Sequence, residues 1–149
     1  LILVWNRDDK YPPFGYIPDP KDWPLEDLSY SWIKRRNKLS VAFSADDGKT
    51  WGKPEPVADR GVWPNACRMA DGVLVCTYGR PGNWLAFSPD EGRTWTGHFC
   101  FYNGPTTSYN SVEEVAPGEL LVVYDRRQLD PSGNLRPEIV GTTVTLRRR

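Results

Sequence analysis

An eight-residue pattern occurs twice in this chain and constrains its fold more than any other feature. Residues 44–51 read Ser-Ala-Asp-Asp-Gly-Lys-Thr-Trp, and residues 88–95 read Ser-Pro-Asp-Glu-Gly-Arg-Thr-Trp. Both fit S-x-D-x-G-x-T-W, and the second copy begins 44 residues after the first. A fixed period of about 20 to 50 residues is typical of solenoids and propellers. We call the two segments the first box and the second box.

Each residue of the motif can be explained by a structural role in or next to a tight turn. Ser and Asp oxygens can accept hydrogen bonds from the backbone of their own turn, and Gly adopts the left-handed conformation freely. The terminal Trp is expected to fold into the core between neighbouring units. We therefore interpret all ten residues as structural: Ser44, Asp46, Gly48, Thr50, Trp51, Ser88, Asp90, Gly92, Thr94 and Trp95.

A second repeating unit lies between the boxes. An apolar run ending in an aromatic residue, a small or polar residue and Arg occupies 1–7, 74–80 and 120–126. Two copies follow a turn, Asp71-Gly72 or Pro117-Gly118. Asp-Gly between apolar runs is a strong hairpin signal, because Gly supplies the positive φ of a tight turn. Each unit is therefore predicted to hold four antiparallel strands, A to D.

Four strands in about 44 residues correspond to one blade of a β-propeller. The sequence thus predicts an all-β, partial propeller in a single domain spanning 1–149. Blade 1 would hold strands B to D in 1–58 with an insertion at 8–35, blade 2 would span 59–103, and blade 3 would hold strands A to C in 104–149. A ring needs at least about four blades, so three cannot close. Since Leu1 already opens an apolar strand, we expect the sequence to begin within a fold.

Composition excludes several classes of protein. Nineteen basic residues balance nineteen acidic ones, so the positive field of a nucleic-acid binder is missing. The apolar run from Leu1 to Trp5 is far shorter than the ~20 residues that span a bilayer, so no membrane partner is expected. One histidine, His98, and three cysteines in no ligand spacing give no metal site, and no cofactor is expected.

The box resembles the Asp-box, or BNR repeat, of the sialidase-like propellers. The resemblance covers nearly the whole chain: Lys38 to Phe43 lead into the first box, and Tyr109-Asn110-Ser111-Val112 lead to the strand that ends at Tyr124. It implies a six-bladed propeller of which this chain is the C-terminal half, and a secreted or periplasmic location. Members of the family use a Tyr nucleophile polarised by a Glu, an Asp as acid/base, and three Arg that hold the substrate carboxylate.

Strand direction indicates which face would carry chemistry. Antiparallel strands reverse direction in turn, so the A–B turns and the boxes share one face and the B–C and D–A connections share the other. On that second face Arg36 and Arg80 each stand eight residues before a box, Tyr109 opens the last inner strand, and Trp63 is its counterpart 46 residues earlier.

The resemblance assigns roles at these positions. Tyr109 matches the nucleophile, and Arg36 and Arg80 match two members of the carboxylate clamp. Trp63, as the counterpart of Tyr109 in the repeat, is predicted to contact substrate. Arg suits a clamp because its planar fork binds a carboxylate through two hydrogen bonds. The alternatives are an aromatic cap of the channel for Tyr109, and exposed loop charges or inter-blade ion pairs for the two arginines.

The chain departs from the family pattern in the carboxylate that would act as the catalytic base. A phenol is a weak nucleophile at its reference pKa of ~10 and needs an adjacent carboxylate. The family's Glu sits at the position of Arg68 and Glu114, and the copy that would serve Tyr109 precedes Leu1. Glu113 is a candidate for this base within the chain, because alternate residues of a strand share one face and Glu113 would lie on the same face as Tyr109 and Ser111. We expect the chain alone to be inactive.

The insertion at 8–35 would overhang the presumed pocket. It is rich in Pro and aromatic residues, and the spacing of its apolar residues after Asp22 predicts a short capped helix. Its aromatic rings would either stack on a sugar or form a small core of the loop's own.

Cys67 and Cys76 flank the Asp71-Gly72 turn symmetrically. A two-residue hairpin would put them directly opposite each other, where a disulfide is sterically possible. Two buried thiols are the favoured alternative.

These observations predict a sialidase-like glycoside hydrolase fragment that binds, and hydrolyses when complete, terminal sialosides or related acidic sugars. Two rivals remain: an Asp-box propeller that binds glycan or protein without catalysis, and a glycosidase of other specificity that uses paired carboxylates. The open ends of three blades also predict a homo-oligomer or association with the missing half.

Overall fold

The computed structural model describes residues 1–6, 37–79 and 82–147. The regular structure within those ranges consists of ten β-strands, so no helix there is long and apolar enough to cross a membrane. The strands are β1 (Ile2–Asn6), β2 (Asn37–Phe43), β3 (Glu55–Arg60), β4 (Val62–Arg68), β5 (Leu74–Gly79), β6 (Asn83–Ser88), β7 (Thr96–Tyr102), β8 (Asn110–Ala116), β9 (Glu119–Leu129) and β10 (Leu135–Thr145).

The strands form three antiparallel sheets in chain order. The first sheet is β1-β2-β3, the second is β4-β5-β6-β7, and the third is β8-β9-β10. These match strands B to D, A to D and A to C of three successive units. The prediction of an all-β, partial propeller is confirmed.

Two hydrophobic clusters hold the sheets together. The first, between sheets one and two, contains Leu39, Val41, Val57, Cys76, Tyr78 and Ala86. The second, between sheets two and three, contains Met69, Val75, Leu85, Val112, Leu120 and Val122. Every residue of β5 is buried, because alternate side chains enter the two clusters. Each fully buried Leu or Val stabilises the fold by ~1.5–3 kcal/mol, so the middle sheet is anchored on both faces.

The hairpin between β4 and β5 differs from the prediction by one residue. Met69 N donates to Val73 O at 2.8 Å, so the loop has three residues, with Gly72 at φ +91°. Three-residue hairpin loops commonly end in such a left-handed residue. Cys67 therefore pairs with Val75, and Cys76 pairs with Ala66.

The expectation that Cys67 and Cys76 face each other is thus wrong. Directly paired residues share a sheet face, so the one-residue shift puts the two thiols on opposite faces. Cys76 belongs to the first cluster, whereas Cys67 packs against the second. All three cysteines are free.

Candidate functional site

The boxes and the A–B turns lie at the same end of the sheets. A cavity of about 500 Å³ is lined by residues of both boxes, including Ala45 and Arg93, and by Arg68 at the end of β4. The carboxylate of Glu114 accepts hydrogen bonds from Ala70 N and Gly118 N, which joins the A–B turns of the second and third sheets. The starts of β4 and β8 therefore lie at the other end.

The two boxes have the same hydrogen-bond network. In the first box Asp46 Oδ1 accepts from Thr50 N at 2.9 Å and Asp46 Oδ2 accepts from Thr50 Oγ1 at 2.6 Å. Ser44 Oγ donates to Asp46 Oδ1 and accepts from Gly48 N. In the second box Asp90 receives the same two bonds from Thr94 at the same distances. The side chains thus replace the backbone pairing that a sharp turn loses.

These bonds stabilise the charged form of each box aspartate. The Thr50 hydroxyl, then the Thr50 backbone N–H, lower the pKa of Asp46 from 3.8 to about 2. Thr94 lowers the pKa of Asp90 to about 2 in the same order. The residue before each glycine is left-handed as well, with φ +58° at Asp47 and φ +60° at Glu91, a feature that the S-x-D-x-G-x-T-W pattern does not predict.

The tryptophans that end the two boxes differ in burial. Trp95 packs against the first hydrophobic cluster, between sheets one and two. Trp51 is 41% exposed among the described residues, and the expectation that it enters an inter-blade core stays a prediction. The second box packs against the preceding sheet, whereas the described residues place no sheet against the first box.

Trp63 and Tyr109 form a stacked aromatic pair at the end opposite the boxes. Their ring centroids are 4.5 Å apart at an interplanar angle of 30°. Trp63 is 40% exposed and Tyr109 is 54% exposed. Trp63 has φ +50° within a bulge of β4, and Ser108, next to Tyr109, has φ +69°. Both rings are therefore presented from locally irregular backbone, which is common where a strand has to aim a side chain. We call these two rings the aromatic platform.

The side chain of Asp125 holds the backbone that leads to Tyr109. Its carboxylate accepts from Thr107 N at 2.7 Å, from Tyr109 N at 3.1 Å and from Thr106 Oγ1 at 3.1 Å. Asp125 is 6% exposed. Burial by itself raises the pKa of this carboxyl, but the hydrogen bonds from Thr107, Thr106 and Tyr109 outweigh burial and hold the pKa below 3.8. Asp125 is therefore a buried, charged acceptor at the base of the platform.

A buried polar group supports the same segment from the second sheet. Asn83, fully buried, donates to Thr106 Oγ1 at 3.3 Å and accepts from Asn110 Nδ2 at 3.2 Å. Ser108, also fully buried, lies so close to Gly79 that a Cβ at Gly79 would stand 2.0 Å from Ser108 Cβ. No motif in the sequence predicts this group. One difference between the copies of the apolar repeat could have indicated a polar cluster here: the second copy has Gly79 where the third has Asp125.

The remaining predicted site residues are not all described. Arg36, Arg80 and the insertion at 8–35 lie outside the described residues. Glu113 stands four residues beyond Tyr109, about 13 Å along an extended strand, and the Tyr109 ring leans towards Trp63. Among the hydrogen bonds of the described residues, none joins Glu113 to the Tyr109 hydroxyl, so Glu113 does not serve as its base in this arrangement.

The described residues show no group of three His, Cys, Asp or Glu side chains that could hold a metal ion. His98 Nδ1 lies 2.8 Å from the Tyr78 hydroxyl. Burial raises the pKa of Cys67 to about 11 and that of Cys76 to about 12. Both thiols are therefore poor nucleophiles.

Comparison with known proteins bears on the fold. No protein-family model matches the sequence, and no curated protein matches it. A solved protein of unknown function from Dyadobacter fermentans DSM 18053 is similar at 20% identity and TM-score 0.51, over 74% of this chain and 34% of that one. Hadza microbial sialidase Hz136 is similar at 26% identity and TM-score 0.43, over 70% of this chain and 22% of that one. The chain thus spans about a third or less of these proteins. Its fold is that of a partial β-propeller.

Proposed function

We propose that this chain is part of a sialidase-like glycoside hydrolase of the Asp-box family. Its face opposite the boxes would bind terminal sialosides or related acidic sugars. The observation that carries the proposal is the aromatic platform of Trp63 and Tyr109, exposed at that face. The C–H faces of a pyranose ring are apolar, so they lose contact with water favourably when they pack on aromatic rings.

The proposal gives the remaining residues complementary roles. Arg36 and Arg80 would bind the sialoside carboxylate through paired N–H donors. Tyr109 would act as nucleophile once the complete protein supplies a carboxylate base and an acid/base Asp. A neutral phenol suits this step, because a carboxylate nucleophile would be repelled by the negative charge beside the anomeric carbon.

Binding of a methyl α-sialoside, followed by saturation-transfer NMR and calorimetry, tests the proposal. Trp63→Ala and Tyr109→Ala should each weaken binding. Trp51→Ala is the matched control, since Trp51 is 41% exposed against 40% for Trp63 but belongs to the first box at the other end. If the wild-type chain does not bind the sialoside, or if Trp51→Ala weakens binding as much as Trp63→Ala, the proposal is wrong.

A second candidate function is glycan binding without hydrolysis. It is favoured by the stacking of Tyr109 on Trp63, with no carboxylate hydrogen-bonded to the Tyr109 hydroxyl among the described residues. Tyr109→Phe separates the two functions in the complete protein, because it keeps the ring and removes the nucleophilic oxygen. A hydrolase should lose turnover of an aryl sialoside and keep binding, whereas a binding protein should show no turnover before or after the change.

A further inference from the structure

We propose that Asp125 is a positioning residue that seats Tyr109 against Trp63 and so fixes the shape of the aromatic platform. The ligand part of this inference rests on the proposed function. The geometric part stands on the contacts of Asp125 alone.

The Asp125 carboxylate is the common acceptor of the segment that ends in Tyr109. It binds two backbone N–H groups, those of Thr107 and Tyr109, and the hydroxyl of Thr106. The backbone of Asp125 adds two further links, because its N–H donates to Tyr109 O at 3.2 Å and its carbonyl oxygen accepts from Thr106 Oγ1 at 2.7 Å. Tyr109 is therefore held on both sides of its Cα by one residue of the neighbouring strand.

The second and third copies of the apolar repeat differ at the position of this carboxylate. Gly79 occupies the equivalent place in the second sheet, where it lies opposite Val62, next to Trp63. Gly79 has no side chain with which to bind the backbone around Trp63. Tyr109 thus has a side-chain anchor at a position where the second sheet has a glycine.

A carboxylate suits this place better than an amide. All three side-chain partners of Asp125 are donors, and an ionised carboxylate offers acceptors alone. Asn at this position would turn an NH₂ group towards at least one N–H or O–H donor. Asp125→Asn is therefore a nearly isosteric change that should release part of the segment without creating a cavity.

The platform itself supplies a readout that needs no ligand. In a chain labelled with 3-fluorotyrosine, the ¹⁹F resonance of Tyr109, assigned through Tyr109→Phe, senses the ring current of Trp63. Asp125→Asn should shift or broaden that resonance and leave in place that of Tyr78, which lies in the first cluster with its hydroxyl 2.8 Å from His98 Nδ1. An unchanged Tyr109 resonance would overturn the proposal, since a purely structural Asp125 would alter stability without moving this ring.

Asp130→Asn is the matched control. Asp130 also accepts from two backbone N–H groups, those of Ser132 and Asn134, and from one side chain, Arg136, but it does so in the β9–β10 turn. The control should leave the Tyr109 resonance unmoved. If Asp125→Asn does not fold, Thr106→Val decides the matter, because it removes the hydroxyl that links Ser108 N to the carbonyl and the carboxylate of Asp125 and should shift the same resonance.

Binding of a methyl α-sialoside separates this inference from the proposed function. Asp125→Asn should weaken binding by about 3- to 10-fold, as expected for the loss of roughly one hydrogen bond. A moved Tyr109 resonance without sialoside binding by the wild-type chain would support the positioning role and reject the proposed function. Unweakened binding by a variant whose resonance has moved would reject a role for Asp125 in ligand recognition.

Discussion

Gly92 of the second box lies against the ring of Phe43 in the preceding sheet. A Cβ on Gly92 would stand 2.1 Å from Phe43 Cζ, so the contact requires a residue without a side chain. Gly48 is the equivalent residue of the first box and has the same φ of +85°. A Cβ there would meet Leu1 Cδ1 at 3.3 Å, at the end of a flexible side chain. The two glycines therefore have the same left-handed backbone conformation, but Gly92 contacts an aromatic ring and Gly48 contacts the end of a flexible side chain.

We expect Gly92→Ala to destabilise the chain by about 1–3 kcal/mol more than Gly48→Ala, the usual cost of overpacking a rigid contact. Both changes force an L-residue into left-handed backbone, so this shared cost cancels in the comparison. Urea unfolding followed by far-ultraviolet circular dichroism measures the difference. Equal losses of stability would mean that the second box does not pack tightly against Phe43.

Much of the fold could be predicted from the repeat alone. The 44-residue period and the turn signals gave the three sheets and the order of their strands, because each unit carries its own pattern of apolar strands and turns. The register of the β4–β5 hairpin was predicted wrongly. Asp71-Gly72 could close a two-residue or a three-residue loop, and the sequence does not distinguish them where the residues on both sides are apolar.

The contacts that hold the aromatic platform in place could not be predicted from the repeat. Ser108 contacts Gly82 across 26 residues, and Asn110 contacts Asn83 across 27. Such contacts between sheets follow from how the sheets pack, which no short motif records. The stacking of Tyr109 on Trp63 likewise depends on a bulge in β4 and on positive φ values at Trp63 and Ser108.

The box aspartates predict an acid-sensitive fold. The folded pKa of Asp46 and Asp90 is about 2, below the ordinary value of 3.8. A lowered pKa means that the stabilising contribution is complete above the ordinary value and is lost as pH falls through about 2. We therefore expect the free energy of unfolding to fall in this acid window, and Asp46→Asn with Asp90→Asn to flatten the fall.

The control for this prediction is Asp47→Asn with Glu91→Gln. It removes the same number of carboxylates from the same two boxes but leaves the bonds to Thr50 and Thr94 intact. Urea unfolding at a series of acid pH values compares the pairs. An equal flattening by both pairs would assign the effect to net charge rather than to the box hydrogen bonds.

The cysteines are predicted to react slowly and to stay unlinked. The pKa of Cys76 is raised to about 12 and that of Cys67 to about 11, chiefly by burial. Since the thiolate is the reactive form, iodoacetamide should leave both unmodified in the native protein at mildly alkaline pH and modify both in denaturant. Peptide mass spectrometry under non-reducing conditions provides the readout. A Cys67–Cys76 disulfide would contradict the placement of the two thiols on opposite faces of the second sheet.

The last prediction concerns the two outer faces of the three-sheet stack. On the first sheet Leu3 is 44% exposed, and Trp51 at the end of the first box is 41% exposed. On the third sheet Val123 is 37% exposed and Ile139 is 76% exposed, both on the side away from the second cluster. Apolar residues on the two faces of the second sheet are buried against the first and the third sheet. The two outer faces therefore resemble the surfaces that pack between blades, but no sheet among the described residues covers them.

We propose that two copies of the chain cover these faces by closing into one ring with two-fold symmetry. The third sheet of each copy would pack on the first sheet of the other, which buries both apolar faces. Light scattering during gel filtration should report a dimer. Trp51→Glu with Ile139→Glu should convert it to a monomer, because each change would bury a charge in an apolar interface. The matched control is Phe99→Glu, since Phe99 is 50% exposed but lies on β7, away from both outer faces. A stable, monodisperse wild-type monomer would show that the outer faces of two copies do not pack against each other.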